Sequence, residues 1–301
     1  MRVKVILNPY ADNGRGTDQA QKIEAAARPF GGIDLVFTER PNHAVELAQE
    51  AAVAGYDIVA AAGGDGTISD VVNGLYLANK SDVKLGVIPI GSGNDLAWDL
   101  GISTDIETAV SRLFNGEIVK IDIGRIEDEY GRSRVFDNNL GIGFDATVVI
   151  ETETITRLHG FLKYLLAVIR TIIFSYDTPH VHLQFDDEKR EQETLFIAFG
   201  LGRRHGGGFF ITPDAKHGDN LIDSCTVDPV NRLTMIRMLL SVMRGTHTTA
   251  KFVTMRQNET IVVQADRPLP IHVDGEMFAY PKDNVRQVTI QSLPAAIEVV
   301  V

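Results

Sequence analysis

The chain has 301 residues, 44% hydrophobic and 23% charged, which is enough to bury the cores of about two domains. A formal net charge of -11 argues against nucleic acid as the partner, because that would select a basic face. The single cysteine, Cys225, cannot form an internal disulfide, so a packed thiol in a reducing cytoplasm is expected. Met1 runs straight into an apolar strand, so no secretory leader is expected. No transmembrane segment is expected either: the longest apolar run, Phe161 to Phe174, is interrupted by Lys163 and Arg170.

In chain order, Val3 to Leu7 reads as a strand. Asn8, Pro9 and the Asp12-Asn13-Gly14 cluster follow as a loop. A helix near Asp18 to Arg28, a strand over Ile33 to Thr38 and a helix over His43 to Ala54 come next. Ile58 to Ala62 is a short apolar run, the pattern of a strand buried on both faces. After Gly63, Gly64, Asp65, Gly66 and Thr67, the residues Ile68, Val71, Val72, Leu75 and Tyr76 form an apolar helical stripe. Thr67 and Asp70 are spaced as a capping pair that would start this helix. Val83 to Ile90 is a further strand, followed by Gly91-Ser92-Gly93, a helix from Asn94, and another over Thr104 to Asn115. Such alternation with short loops implies a parallel sheet covered on both faces. Ligands on these sheets bind at the carboxyl ends of the strands, where Asn8, Thr38 and both glycine loops lie.

Each glycine loop joins a strand to a helix start. Glycine lets the backbone approach a ligand closely, and a helix N-terminus offers unpaired N–H groups that suit phosphate. The first loop has no Gly-Lys-Ser/Thr ending, and its glycines do not space as G-x-G-x-x-G, so neither familiar phosphate loop is present. A plain tight turn is the alternative. Asp65 favours a functional reading, since an acid among phosphates is useful only through a metal or a hydroxyl. In the second loop, Asn94 reads as an N-cap and Asp95 as a first-turn acid, and capping alone would account for both. Ser92 can donate its hydroxyl to a phosphate oxygen.

From Ile118 onward strand-like segments dominate: Ile118 to Ile126, Arg134 to Leu140, Val181 to Asp186, Thr194 to Leu201, Glu259 to Ala265, Leu269 to Val273 and Val285 to Ile290. Helices are expected over about Leu158 to Tyr176 and Arg232 to Arg244. A second, mainly antiparallel domain is therefore expected after residue 125. Both of its helices lie in segments without acidic residues, Thr154 to Tyr176 and Pro229 to Asn258. Basic apolar helices can lie in a lipid headgroup layer, or simply pack on the β domain with their cations at the solvated edges.

Taken together, these residues resemble the diacylglycerol kinase catalytic-domain family, which includes bacterial lipid kinases and sphingosine kinases. The landmarks are Asn8-Pro9, Gly63-Gly64-Asp65-Gly66-Thr67, Gly91-Ser92-Gly93-Asn94-Asp95, Gly141-Ile142-Gly143-Phe144-Asp145, Gly206-Gly207-Gly208, Pro213-Asp214-Ala215-Lys216 and Asp274-Gly275-Glu276. They span nearly the whole chain.

The resemblance implies an α/β fold in two domains. An ATP-binding α/β domain would cover residues 1–125, with 291–301 returning to it, and a β-sandwich lipid-binding domain 126–290, the active site lying in the cleft between. The implied ATP contacts are Asn8, Thr38, Gly63, Gly64, Asp65, Gly66, Thr67, Ile68, Ser69 and Ser92. Ser69 replaces the family's usual asparagine and Ser92 its usual threonine, which bears on fine nucleotide preference. Asp65 would act through Mg2+, with Asp95 supporting the same site, and Glu276 would be the general base for the acceptor hydroxyl. Read from residues alone, Asp274-Gly275 is a hairpin turn with Glu276 exposed beyond it, and Asp274 is the reserve candidate for the base. A structural Mg2+ is implied at Asp219 and the carbonyls of Lys216 and Leu221, a plain Asp-Asn turn being the alternative. The expected partner is a lipid at the membrane surface, met from the cytoplasm. The oligomeric state stays open, with a homodimer one option. The rival functions are a kinase of a soluble acceptor such as NAD and a non-catalytic nucleotide or lipid sensor. A long apolar groove in the β domain would favour the lipid.

Overall fold

The structure, a computed structural model, describes every residue except Ser81 and His159, and every other side chain except those of Asp12 and Asn13. The chain divides into two units, Met1–Ile121 with Ala295–Val301, and Asp122–Pro294. The changes of unit fall slightly outside the boundaries expected at 125 and 291, because long strands run through both of them.

The first unit is built from β1 (Val3–Leu7), α1 (Ala11–Gly14), α2 (Gly16–Ala27), β2 (Asp34–Phe37), α3 (His43–Val53), β3 (Ile58–Gly63), α4 (Asp65–Ala78), β4 (Lys84–Pro89), α5 (Asp95–Asp99), α6 (Ile106–Asn115) and the start of β5 (Ile118–Asp128). Its strands run parallel in the order β2-β1-β3-β4, with Val5 paired to Leu35 on one side and Ala60 on the other. Every residue of β3 is buried, as a strand covered on both faces requires. Val5, Leu7, Ile23, Ala60, Ile88, Val110 and Leu113 meet in one core between sheet and helices. Helix α1 replaces the loop expected over Asp12-Asn13-Gly14. Helix α4 starts at Asp65 with Gly64 as its N-cap, so Thr67 and Asp70 are not its capping pair. The glycine turn itself carries the chain into the helix, and Thr67 lies inside the first turn.

The second unit continues β5 and adds β6 (Ser133–Phe136), β7 (Asn139–Gly143), α7 (Phe144–Thr154), α8 (Gly160–Phe174), β8 (His180–Gln184), β9 (Lys189–Glu193), β10 (Phe196–Gly200), β11 (Ile222–Val227), α9 (Arg232–Val242), β12 (Val253–Asn258), β13 (Thr260–Ala265), β14 (Ile271–Val273), β15 (Glu276–Ala279) and most of β16 (Gln287–Val300). Strands β12-β11-β10-β7-β14-β15 form one antiparallel sheet. Strand β13 pairs antiparallel with β16 and β8, β8 with β9, and β5 with β6. Ile142, Ile197 and Phe199 of the first set pack against Leu183, Ile261, Val263, Val288 and Ile290 of the second. The alternate residues of β10, Phe196 and Ala198, point the other way into a core with Val148, Ala167, Val168 and Met235 of α7, α8 and α9. One strand thus serves two cores, and the unit is a sandwich with a helical layer on one face.

The single helix expected over 158–176 includes His159, outside the described residues; helix is described over Gly160–Phe174, and α7 precedes it. The strand expected over Arg134 to Leu140 is two strands, broken at Asp137-Asn138, in different pairings. At the end of the chain, Val299 of β16 pairs parallel with Leu85 of β4, so the last residues complete the first sheet.

Candidate functional site

In the first unit the two glycine loops are locked to each other. A Cβ on Gly91 would stand 2.3 Å from the Cα of Gly64, so only glycine permits the approach. The Asp65 carboxylate accepts hydrogen bonds from the backbone N–H groups of Asn94 (2.8 Å) and Asp95 (2.6 Å). Asp65 therefore caps α5 from the neighbouring loop. Asn94, expected to cap that helix, lies in the left-handed region (φ 53°) with its side chain turned back onto Gly91. Asn8 Nδ2 donates to Thr67 Oγ1 (3.2 Å), tying the end of β1 to the first turn of α4. The N–H of Thr38 donates to the Leu7 carbonyl, which places Thr38 at the same strand-end edge.

Within this set Gly64, Asp65 and Gly66 are half-buried and Ser92 is exposed. Ile68 and Ser69 are fully buried, and Thr67 and Asp95 nearly so. The groups offered to a ligand are thus chiefly backbone N–H groups of the turn and the Ser92 hydroxyl. This is the chemistry of a phosphate cradle at a helix start. Asp65 retains further lone pairs beyond the two N–H contacts, as an ionised carboxylate has about four acceptor positions.

In the second unit, β14 and β15 form a hairpin with Val273 opposite Glu276. Asp274 (φ 48°) and Gly275 (φ 78°) are its two left-handed turn residues, as a type I′ turn demands. Asp274 is buried, and its carboxylate accepts from the N–H groups of Asp137 (3.2 Å), Asn138 (3.2 Å) and Asn139 (2.8 Å). That work anchors the hairpin and makes Asp274 a poor reserve candidate for a base. The Glu276 side chain is 46% exposed, and an Arg134 guanidinium N–H donates to its Oε2 at 2.8 Å.

Behind the hairpin lies a polar group of residues to which the sequence reading gave no role. Asp145, at the start of α7, is buried and accepts from the Tyr164 hydroxyl (3.0 Å) and from His272 Nε2 (3.0 Å). The Gly275 N–H donates to His272 Nδ1 at 3.3 Å, which leaves Nε2 facing Asp145. Burial pushes the Asp145 carboxyl up, but the charge and hydrogen bond of His272, the charge of His205 and the hydrogen bond from Tyr164 hold it below the usual range. Gly141 makes room for the pair: a Cβ there would lie 2.3 Å from both Asp145 Oδ2 and His272 Nε2. The signals were in the sequence, since Asp145 closes one landmark and His272 stands two residues before another.

Asp145 and Tyr164 also wall a cavity of about 60 Å³ between the sheet and helices α7, α8 and α9. The rest of its lining is apolar, including Val168, Ile172, Phe196, Met235 and Met238. As it stands it has room for a few methylene groups. Met235 and Met238 are unbranched and adaptable, so α9 is the side that can yield to a longer chain.

The loop of residues 213–223 carries the implied metal positions. Asn220 has φ 70°, the left-handed geometry that asparagine tolerates. The Asp219 carboxylate accepts from the Leu221 N–H (3.1 Å), and Asp122 accepts from the N–H groups of Gly218 and Asn220. Burial, followed by the charges of Asp219 and Asp214, pushes the Asp223 carboxyl up to about 6. Such crowding of acids fits a nearby cation. No cluster of three or more His, Cys, Asp or Glu side chains among the described residues has metal-binding geometry, but one carboxylate with carbonyls and waters is a different donor set. Cys225 is buried and its thiol pushed up to about 12, chiefly by burial, so it is an inert packing residue.

Residues 2–126 match the family profile of the diacylglycerol kinase catalytic domain, and residues 138–301 that of the YegS C-terminal NAD kinase beta sandwich-like domain. A diacylglycerol kinase of Mycobacterium tuberculosis is 29% identical over 99% of this chain and 94% of its own. A diacylglycerol kinase of Bacillus subtilis is 31% identical over 91% and 89%, and a probable lipid kinase YegS-like of Chromohalobacter salexigens 31% over 88% and 85%. The crystal structure of a diacylglycerol kinase from Bacillus anthracis shares the fold, with a TM-score of 0.74 at 18% identity over 99% of this chain and 96% of that one. No described helix is long and apolar enough to cross a membrane. With two domain profiles matched in order along its length, the chain belongs to the diacylglycerol kinase family of YegS-like lipid kinases.

Proposed function

We propose that this protein transfers the γ-phosphate of ATP to a hydroxyl of diacylglycerol or a similar lipid. The observation that carries the lipid acceptor is the apolar cavity of the second unit with its polar wall of Asp145 and Tyr164. A soluble acceptor such as NAD would need a polar pocket, and a sensor would have no use for a carboxylate held by an arginine at a hairpin tip.

The roles follow from the chemistry of phosphoryl transfer, which needs positioning and charge neutralisation more than covalent intermediates. Backbone N–H groups from Gly63 to Thr67 hold phosphate oxygens, assisted by Asn8, Thr38 and Ser92. Asp65 keeps the two loops in register, and with Asp95 it would hold the Mg2+ that accompanies the nucleotide. When bound, that ion neutralises phosphate charge. Lys216 and Leu221, through their carbonyls, and Asp219 would hold a second, structural Mg2+. Glu276 accepts the proton of the acceptor hydroxyl, and Arg134 fixes the direction in which its carboxylate points. The Asp145–His272–Gly275 chain of hydrogen bonds runs from the cavity wall to the turn that bears Glu276.

The test is incubation with labelled ATP and a panel of diacylglycerol, other lipids and NAD, with the products identified by mass. Label on a lipid hydroxyl is expected. Label on NAD, or ATP turnover with no acceptor product, would overturn the reading.

A further inference from the structure

His272 lies on β14, opposite Gly141 of β7, and is only 2% exposed. The missing side chain of Gly141 leaves the space that the ring and the Asp145 carboxylate fill. Such a contact is not the cheapest way to build a sheet. Glycine inside a strand weakens it, and a buried acid with a basic partner is often no more stable than an apolar pair of the same volume. The hairpin that carries Glu276 gives the contact a use. Pairing between β14 and β15 slips by one residue between Ile271 and His272, so only His272–Met277 and Val273–Glu276 continue the ladder to the turn. Two left-handed residues, Asp274 and Gly275, follow.

Side chains hold this short tip in three ways. The Asp274 carboxylate accepts from the N–H groups of residues 137–139, and Arg134 donates to the Glu276 carboxylate. His272 Nδ1 accepts from the N–H of Gly275, the residue next to Glu276. That N–H belongs to the middle peptide of the turn, which the ladder does not reach. An amide N–H does not ionise under these conditions, so the contact carries direction and not a proton. We infer that His272 is a positioning residue for Glu276. Its Nε2 is anchored on Asp145, and its Nδ1 fixes the turn, which sets the point from which the carboxylate reaches the acceptor hydroxyl. Asp145 also lines the acceptor cavity, so base and acceptor are placed from one buried carboxylate. The inference rests on the reading of Glu276 as the base.

Two amide side chains separate the two contacts of the ring. In His272→Asn the amide oxygen takes the place of Nδ1 and the side chain stops short of Asp145. In His272→Gln the amide reaches the place of Nε2 and leaves the Gly275 N–H without its acceptor. The experiment measures diacylglycerol phosphorylation and thermal melting of the full chain in both variants, with Glu276→Gln as reference. His272→Gln should lower kcat by about tenfold or more, with the KM for diacylglycerol and the ATP affinity near wild type. His272→Asn should keep kcat within about threefold of wild type. It should nevertheless melt at the lower temperature of the two, because Asp145 loses a buried partner. A residue that only held the fold would instead make turnover follow stability. Amide exchange read by NMR gives a measure that needs no variant: in the wild type without substrates, the Gly275 N–H should exchange at least about tenfold more slowly than a free peptide amide. Turnover that falls in step with melting temperature in both variants, or fast Gly275 exchange in the wild type, would overturn the inference. Wild-type kcat in His272→Gln beside an inactive Glu276→Gln would overturn the positioning role alone, whereas wild-type turnover in Glu276→Gln would remove the base itself.

Discussion

In the first unit the candidate phosphate cradle is chiefly the backbone of two glycine turns, and the side chain that joins those turns is Asp65, which reaches Asn94 and Asp95. In the second unit the cavity wall takes Asp145 from the start of α7 and Tyr164 from α8, and Asp145 is held from behind by His272 of β14, 127 residues away in sequence. One site is made by the local path of the backbone and the other by tertiary packing. Substitutions should therefore act differently in the two. In the first unit they should disturb backbone presentation and hence nucleotide; in the second they should disturb acceptor chemistry while leaving nucleotide affinity alone.

The largest expected effect is at the hairpin tip. Glu276→Gln should lower turnover by about 10²-fold or more, the ordinary scale for loss of a general base. Folding and ATP affinity should stay near wild type, since the exposed side chain holds no core together. Lipid turnover near the wild-type rate would remove Glu276 from the role.

Next comes Asp65→Ala, which strips the α5 N-terminus of its acceptor and unties the two loops. Nucleotide titration should show an affinity loss of about tenfold or more, and thermal melting a cost of about 1–3 kcal/mol for the buried N–H groups left unpaired. A variant that melts earlier yet binds nucleotide normally would mean that Asp65 only holds the fold.

Asp145→Asn sharpens the contrast from the other side. Its carboxyl is held below the usual 3.8 in the folded protein, so the stability it contributes is fully present above that pH and is lost as the pH falls through and below it. Acid titration followed by fluorescence should show the variant losing less stability than the wild type below about pH 4. Lipid turnover should fall while nucleotide affinity does not.

The smallest effect belongs to a position outside both sites. Asp105 caps α6 by accepting from the Thr108 N–H at 2.9 Å. Asp105→Ala should cost about 1 kcal/mol of stability and leave activity unchanged, which provides the baseline for reading the other variants.

The same contrast explains what was legible in the sequence. The glycine turns, the parallel alternation and the hairpin at Asp274-Gly275 are local patterns, and each is found where the residues place it. The capping roles were misassigned because Asp65 caps a helix in the other loop, a contact no spacing rule encodes. Strand β11, Ile222–Val227, went unread because it is buried throughout and carries Asp, Ser, Cys and Thr in place of an apolar run. Strand β9, Lys189–Glu193, is wholly polar, as suits the edge position it occupies in its sheet. Helix α7 hides behind Thr147, Val148, Val149 and Ile150, β-branched residues that favour strands until packing decides otherwise. The cavity depends on three helices and a sheet meeting, and no single segment announces it.

The most direct test of this division of labour is photo-crosslinking with a diacylglycerol carrying a diazirine on one acyl chain, mapped by peptide mass. The account places the label on residues lining the cavity, such as Val168, Ile172, Met235 and Met238, with the labelling competed by unmodified diacylglycerol and unaffected by ATP. Competed labelling confined to the first unit, or to the sandwich away from α8 and α9, would contradict it.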